Sequence, residues 1–192
     1  MSESRRRTEV EVRALGAGDA DELRTFFQRV PEGDRTFFRE DVLAPGVVER
    51  WVDDPGQHRS IALVDGAIVG HVAVIPGVGW SRHVGEVRLV VGPDHRGEGL
   101  GRLLAQRAVV EAVEMGVSKL VVDVAAEQTA TVAMFSKLGF EAEALFKDHV
   151  RDQAGATHDL LVLAHFVEPL WSAMATAGVD DAVRVDEDLD DG

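Results

Sequence analysis

Residues 87–104, VRLVVGPDHRGEGLGRLL, constrain the fold more than any other part of the chain. They begin with a run of β-branched and apolar residues typical of a buried strand, which Gly92 and Pro93 end. A loop with alternating glycines follows, and apolar residues then recur at helical spacing as far as Met115. The segment therefore predicts a strand, a glycine-rich loop and an amphipathic helix in direct succession.

The start of this helix is a predicted anion site. The first N–H groups of a helix have no partner within it, and the helix dipole adds partial positive charge at that end. Arg96 and Arg102 flank the loop and would add charge-assisted hydrogen bonds. Phosphate is the anion that such loops usually bind. The alternative is that the glycines only permit close packing of the strand and the helix.

The glycine spacing indicates which phosphate ligand to expect. A dinucleotide-binding loop needs Gly-x-Gly-x-x-Gly, but the last position of that pattern is Arg102 or Leu104 here, and the sequence has no Gly-Lys-Ser/Thr of a P-loop. The pattern that is present, from Arg96 to Gly101, is Arg-x-x-Gly-x-Gly. It resembles the acetyl-CoA loop of the GCN5-related N-acetyltransferase (GNAT) superfamily.

This resemblance implies where acetyl-CoA would lie. The pyrophosphate would rest on the loop amides, and the pantetheine arm would pair with the preceding strand. One backbone N–H of that strand, that of Val90 or Val91, would polarise the thioester carbonyl. The implied acetyl-CoA-binding residues are Leu89, Val90, Val91, Arg96, Gly97, Glu98, Gly99, Leu100, Gly101 and Arg102.

Residues 128–140, QTATVAMFSKLGF, resemble the second GNAT signature, in which an Asn opens a helix that ends in Tyr-x-Lys-Leu-Gly-Phe. Gln128 stands at the Asn position, and the resemblance implies that it contacts the pantetheine or the acceptor. Phe135 replaces the tyrosine that protonates the leaving thiolate in many relatives, and the chain contains no tyrosine. Water, Ser136 or a histidine would have to supply that proton, and Phe135 would pack against the cofactor arm.

The predicted fold class is α/β (α+β): a GNAT fold with a mixed central sheet of about six to seven strands and about four flanking helices. Alternating and apolar runs predict strands at residues 8–15, 60–64, 67–75, 84–91, 119–125, 140–150 and 157–166. Helices are expected over residues 19–30, 45–52, 100–115, 128–138 and 168–177. We expect one domain over residues 1–178 and a disordered acidic tail over residues 179–192.

Two short patterns predict local structure. Asp19 and Glu22 have the spacing of a capping box at the start of the first helix. Asp65 and Gly66 lie between two apolar runs, which is typical of a tight hairpin turn.

The composition excludes several function classes. A net charge of −14 argues against nucleic acid as a partner and favours cationic substrates such as amines. Without cysteine the chain has no thiolate metal site and no cysteine nucleophile, so direct attack by the acceptor in a ternary complex is expected, and no metal. No apolar run reaches the ~18 residues of a membrane span. With no secretory signal in the sequence, a cytoplasmic location is the expectation.

Glu86 is the predicted catalytic base. If Val87 and alternate residues after it face the helix, Glu86 shares the opposite face of the strand with Arg88. A half-buried carboxylate there would accept a proton from the amine, directly or through water. Alternatively, Glu86 only forms an ion pair with Arg88. The sequence offers further base candidates by residue type, namely His71, His83, His149 and His158.

The resemblance also implies that the first helices line the acceptor pocket, where Phe37, Phe38 and Trp51 would shape it. The leading prediction is an acetyl-CoA-dependent N-acetyltransferase whose acceptor is a primary amine, on a small molecule, a protein N-terminus or a lysine. A monomer or a homodimer is expected.

Two alternatives come from other protein classes. A GNAT-fold module that binds acyl-CoA without turnover is consistent with the missing tyrosine. A Rossmann-type oxidoreductase is supported by Asp123, which lies about where such proteins carry a ribose-binding acid, although the glycine spacing argues against it.

Overall fold

The computed structural model describes residues 9–35, 38–54 and 58–167. These residues form seven strands and five helices, which confirms the predicted α/β class. The predictions for Phe37, for a helix over residues 168–177 and for the acidic tail lie outside the described residues.

The strands form one mixed sheet. They are β1 (Val10–Ala14), β2 (His58–Val64), β3 (Ala67–Pro76), β4 (Val84–Val91), β5 (Lys119–Ala125), β6 (Glu141–Arg151) and β7 (Thr157–Phe166). Their order across the sheet is β1-β2-β3-β4-β5-β7-β6. Only β4 and β5 pair in parallel among the described strands, because a helix connects them, and every other pair is antiparallel.

Helices cover both faces of this sheet. They are α1 (Ala20–Arg29), α2 (Glu32–Arg35), α3 (Val47–Asp53), α4 (Leu100–Glu114) and α5 (Thr129–Lys137). One core joins α4 and α5 to the sheet and takes Val87 from β4, whereas a second core contains α1 and α3 and takes Val90. Alternate residues of β4 therefore face opposite cores, as predicted for this strand.

The two short patterns have different outcomes. Asp65 and Gly66 both have positive φ, +50° and +81°, as a type I′ hairpin turn between β2 and β3 requires, which confirms that prediction. The capping box between Asp19 and Glu22 does not form. Asp19 instead accepts two hydrogen bonds from Arg13, at 2.7 and 2.8 Å, and Glu22 accepts one from the backbone N–H of Ile68 at 2.9 Å. Asp19 also accepts from the backbone N–H of Gly16 at 2.7 Å, so its local bond is made to the turn before α1 and not to α1 itself.

The two parallel strands of the sheet diverge after a short paired stretch, and we call the gap between them the fork. β4 and β5 are paired only from Val84 to Glu86, opposite Lys119 to Val121. Beyond Glu86, β4 continues to pair with β3, and beyond Val121, β5 continues to pair with β7. The two strands therefore part on the side of the sheet where β4 runs into the glycine-rich loop.

Candidate active site

The glycine-rich loop has the backbone geometry that the sequence predicts. Gly97 and Gly99 have φ of +80° and +84°, which side chains on L-residues disfavour, and no atom lies within 4 Å of a Cβ built at either position. Gly99 is the N-cap residue of α4, so the first N–H groups of the helix start at Leu100. A Cβ at Gly101 would lie 3.0 Å from Met134 Sδ, and so glycine allows α5 to lie close to α4.

The two arginines of the loop have different surroundings. Arg96 donates to the Asp34 carboxylate at 2.7 Å and to the carbonyl oxygen of Val91 at 3.2 Å, which ties the loop to α2 and to the end of β4. Arg102 lies exposed in the first turn of α4 and lines the cavity described below. Glu98 is exposed and lies 3.6 Å from His95. Arg102 is therefore the better placed of the two arginines to meet an anion at the helix start.

The backbone of β4 determines which amides face the fork. The N–H of Gly92 donates to Val69 of β3, and the carbonyl of Val84 accepts from Gly77 at the other end of the same pair of strands. The backbone N–H and C=O groups of successive residues point to opposite sides of a strand. Those of Val90 therefore also point to β3, whereas those of Leu89 and Val91 point to the fork. Of the two amides that the resemblance implied for the thioester carbonyl, this alternation favours Val91 over Val90.

The second motif forms the opposite wall. Gln128 is the N-cap residue of α5, which confirms the helix start expected there, and its half-buried side chain lines the cavity. Phe135 also lines the cavity, is 1% exposed, and packs edge-on against Phe140 with ring centroids 5.0 Å apart. Phe135 thus supplies an apolar surface and no proton.

A single cavity of about 760 Å³ connects these elements. At one end it is lined by the glycine-rich loop, in the middle by β4 and α5, and at the other end by charged and aromatic side chains from α1, α3 and the segment between them. This volume is in the range of small-molecule and cofactor sites. The fork between β4 and β5 opens into its middle.

Five charged side chains of alternating sign form a chain along the cavity. Arg39 contacts both Asp123 and Glu86, the latter at 3.3 Å. Arg88 donates from Nε to Glu86 at 3.0 Å and lies 3.5 Å from Glu40. The predicted ion pair of Glu86 with Arg88 is therefore present, and a second guanidinium also contacts Glu86. We call this set, Asp123–Arg39–Glu86–Arg88–Glu40, the charge chain.

Asp123 is the carboxylate at the fork end of the charge chain. It lies two residues beyond the last residue of β5 that pairs with β4. Burial raises its pKa, and the nearby charge of Glu86 acts in the same direction, against the opposing effect of Arg39. From the sequence, Asp123 is a candidate only for a ribose-binding acid. The strand register places it on the same face of the sheet as Glu86, in the neighbouring parallel strand.

The far end of the cavity is aromatic and contains a buried histidine and a buried arginine. Trp51 stacks on His71 with ring centroids 5.5 Å apart, and the guanidinium carbon of Arg59 lies 4.1 Å above the Trp51 ring. Phe38 lines this end too, so two of the three aromatic residues predicted for the acceptor pocket are there. His71 is buried, and desolvation together with the charge of Arg59 lowers its pKa to about 3.

The other histidines proposed as bases lie elsewhere. His83 and His149 are exposed and do not line the cavity. His158 contacts Glu127 and also Asp152 at 3.1 Å, which raises the pKa of the imidazole. Among the described residues no group of histidine and carboxylate side chains could hold a metal ion, and no helix is long and apolar enough to cross a membrane.

Comparison with known proteins agrees with this architecture. The model of the acetyltransferase (GNAT) family matches residues 20–140, which include the fork, the glycine-rich loop and the second motif. The chain belongs to the GNAT acetyltransferase family, and the Rossmann-type oxidoreductase considered from the sequence is wrong.

Individual relatives are distant. A mycothiol acetyltransferase of Kytococcus sedentarius is 32% identical over 147 residues, which are 71% of this chain and 47% of the relative. The chain thus spans about half the length of that curated relative. A GNAT-family acetyltransferase from Streptococcus pneumoniae superimposes with a TM-score of 0.74 at 25% identity, over 82% of this chain and 99% of its own. YncA of Salmonella typhimurium, solved with acetyl-CoA, has a TM-score of 0.71 at 18% identity, over 84% and 95% of the two chains.

Proposed function

We propose that this protein is an N-acetyltransferase that transfers the acetyl group of acetyl-CoA to a primary amine by direct attack in a ternary complex. The observation that carries the proposal is the continuity of one cavity from the glycine-rich loop, past the fork, to the carboxylates of Glu86 and Asp123. A donor and an acceptor can therefore meet in the same space.

The donor half of the cavity fits acetyl-CoA. The open backbone of Gly97 and Gly99 and the first amides of α4 suit a pyrophosphate, with Arg102 at its edge. The backbone groups of Leu89 and Val91 face a fork that no strand of the described residues fills, and the pantetheine amides would pair with them. In this arrangement the N–H of Val91 would hydrogen-bond the thioester oxygen as negative charge develops on it.

Asp123 is the group to which we assign the amine proton. Its raised pKa makes it a stronger base than an ordinary aspartate, and it lies at the fork. Glu86 contacts two arginines and is the poorer acceptor, so its role becomes the positioning of Arg39. The amine nitrogen forms a bond to the thioester carbon, the C–S bond breaks with its electron pair on sulfur, and Asp123 takes the proton from nitrogen.

The leaving thiolate is protonated by water in this proposal. Phe135 has no proton to give. A thiolate is a far weaker base than an alkoxide, because a typical thiol has a pKa of ~8.5. The same residue supports one other candidate function, a GNAT-fold module that binds acyl-CoA without turnover. Amine-dependent release of thiol separates the two candidates.

The test is calorimetric titration of the full chain with acetyl-CoA, with NAD and ATP as controls, followed by a thiol-release assay over a panel of primary amines. We expect binding of acetyl-CoA in the micromolar range and thiol release that requires an amine. Binding without release on any amine would favour the binding module. No binding of acetyl-CoA would refute both candidates.

A further inference from the structure

The aromatic end of the cavity contains two nitrogen-bearing side chains that the proposed acetyl transfer does not use. Arg59 and His71 are 5% and 4% exposed, and both line the cavity. Burying a polar group costs free energy, and so the position of both side chains at the end of the cavity suggests a role in binding a ligand there.

His71 is a neutral hydrogen-bonding group at physiological pH, because burial keeps its pKa at about 3. Its Nε2 is buried and has no hydrogen-bond partner among the described residues. In the tautomer that carries hydrogen on Nε2, the ring would donate to an acceptor in the cavity. The imidazole is stacked on Trp51 and lies edge-on to Phe27, so its orientation is fixed by packing.

Arg59 supplies the positive charge beside this donor. Trp51 holds its guanidinium, 4.1 Å from the ring centroid, and its charge contributes to the lowered pKa of His71. Burial lowers the pKa of Arg59 itself to about 10, which the attraction of Glu40 and Asp54 does not offset. An anion bound in the cavity would therefore stabilise this guanidinium.

The arrangement of these charged side chains indicates how an acceptor would be oriented in the cavity. The inner members of the charge chain contact opposite charges on two sides, and Asp123 stands at one end. At the other end Glu40 lies 3.9 Å from Arg50, and its charge also acts on Arg59. Paired positions place Arg59 opposite Ala73 and Ala73 opposite Arg88. Because Glu86 pairs with Val121, Asp123 continues this row on the same face of the sheet. An acceptor with a positive and a negative group could lie along the row.

We propose that Arg59 and His71 bind a carboxylate of the acceptor, so that the acceptor is an amino acid or another amine that carries a carboxylate. This inference rests on the proposed function, and it identifies the substrate class. The ammonium group would lie at Asp123 and the carboxylate at Arg59, with the Nε2–H of His71 as a second donor.

The test compares pairs of amines that differ only in the carboxylate. L-Leucine is compared with isopentylamine, and 5-aminopentanoate with butylamine, which places the carboxylate at two distances from nitrogen. Each compound is titrated into the full chain saturated with coenzyme A, and thiol release from acetyl-CoA is measured separately. In at least one pair we expect the carboxylated compound to bind about tenfold or more tightly.

Substitutions test whether Arg59 is responsible for the preference for carboxylated compounds. Arg59→Met keeps most of the side-chain volume but removes the charge, so it should reduce the preference for the carboxylated compound to less than about twofold. Arg29→Met is the matched control, an arginine that donates to a carbonyl at the edge of the second core and does not line the cavity. If Arg59→Met does not fold, as judged by circular dichroism, Arg59→Gln, which also removes the charge, replaces it.

Equal binding within both pairs, tighter binding of the plain amines, no binding of any compound, or a preference that survives the Arg59 variant would overturn the inference. Thiol release with plain amines and no carboxylate preference would leave the proposed function standing. Conversely, a carboxylate preference in binding without thiol release on any compound would support the anion site and contradict acetyl transfer.

Discussion

The two ends of the cavity are built in different ways. The end that we propose for the donor consists mostly of backbone: glycines with positive φ, the first amides of α4 and the edge of β4 that no described strand pairs with. The acceptor end consists of side chains that come from separate elements, such as Arg59 on β2, Arg88 on β4 and Asp123 on β5. A backbone site depends on a short continuous segment, whereas a side-chain site depends on the whole fold. The first can thus be shared by many enzymes while the second changes with the acceptor.

The largest expected effect is at the donor end. Gly99→Trp should lower the affinity for acetyl-CoA by about 100-fold or more, because the indole would occupy the open space over the helix start. Gly116→Trp is the matched control, since Gly116 also has positive φ, +68°, open space around it and no part in the cavity. Calorimetric titration measures both. Equal loss of affinity in the two variants would mean that backbone strain, and not the site, is responsible.

The second prediction concerns the carboxylates at the acceptor end. Asp123→Asn should lower kcat/KM by about 100-fold at neutral pH, since it removes the proposed base. We expect the rate of the wild type to fall in acid as Asp123 is protonated, and the pH profile of Asp123→Asn to lack that fall. The raised pKa places that fall above the range of an ordinary aspartate.

Glu86→Gln is the comparison for this experiment. It also removes a negative charge from the charge chain. We expect a smaller loss of kcat/KM than for Asp123→Asn, and a pH profile in which the rate still falls in acid. If Glu86→Gln loses the acid limb and Asp123→Asn keeps it, the base predicted from the sequence is correct and our assignment to Asp123 is wrong.

The contrast between the ends explains what could be predicted from the sequence. The loop from Arg96 to Gly101 is continuous, and its geometry follows from local backbone preferences, so both the loop and the helix after it were predictable. The strand alternation that places Glu86 and Arg88 on one face was predictable for the same reason. The fork was not, because it depends on where β5 leaves β4, and neither was the contact of Arg39 with Asp123, 84 residues away.

Asp19 and Glu22 illustrate the same limit on a smaller scale. Their spacing indicated a capping box, but Asp19 binds Arg13 of β1 and the backbone N–H of Gly16, and Glu22 binds the Ile68 amide of β3. The hydrogen bond from Arg13 lowers the pKa of Asp19 most, and that from Gly16 acts in the same direction. The spacing of two residues does not reveal partners that the fold brings from neighbouring strands.

The third prediction tests the buried histidine at the acceptor end. His71 has a folded pKa of about 3, and an unfolded histidine titrates near 6.5. Between these values the unfolded chain binds the extra proton, so the free energy of unfolding falls as the pH falls, by up to about 1.4 kcal/mol per pH unit. Urea unfolding from pH 7 to pH 4 should show a smaller slope for His71→Gln than for the wild type. His83→Gln, at an exposed histidine, should keep the wild-type slope.

The smallest expected effect lies between the two ends, at Phe135. Phe135→Tyr restores the hydroxyl that many relatives use, but the buried ring packs edge-on against Phe140, so the new group has no prepared partner among the described residues. If water already protonates the thiolate, kcat should change by less than about threefold, because a thiolate is a good leaving group. Ser136→Ala, at the exposed neighbouring residue, should likewise leave kcat nearly unchanged. A rise of more than about tenfold in kcat for Phe135→Tyr would show that protonation of the thiolate limits the rate of the wild type. Position 135 would then be able to contribute to the reaction as well as to the shape of the cavity.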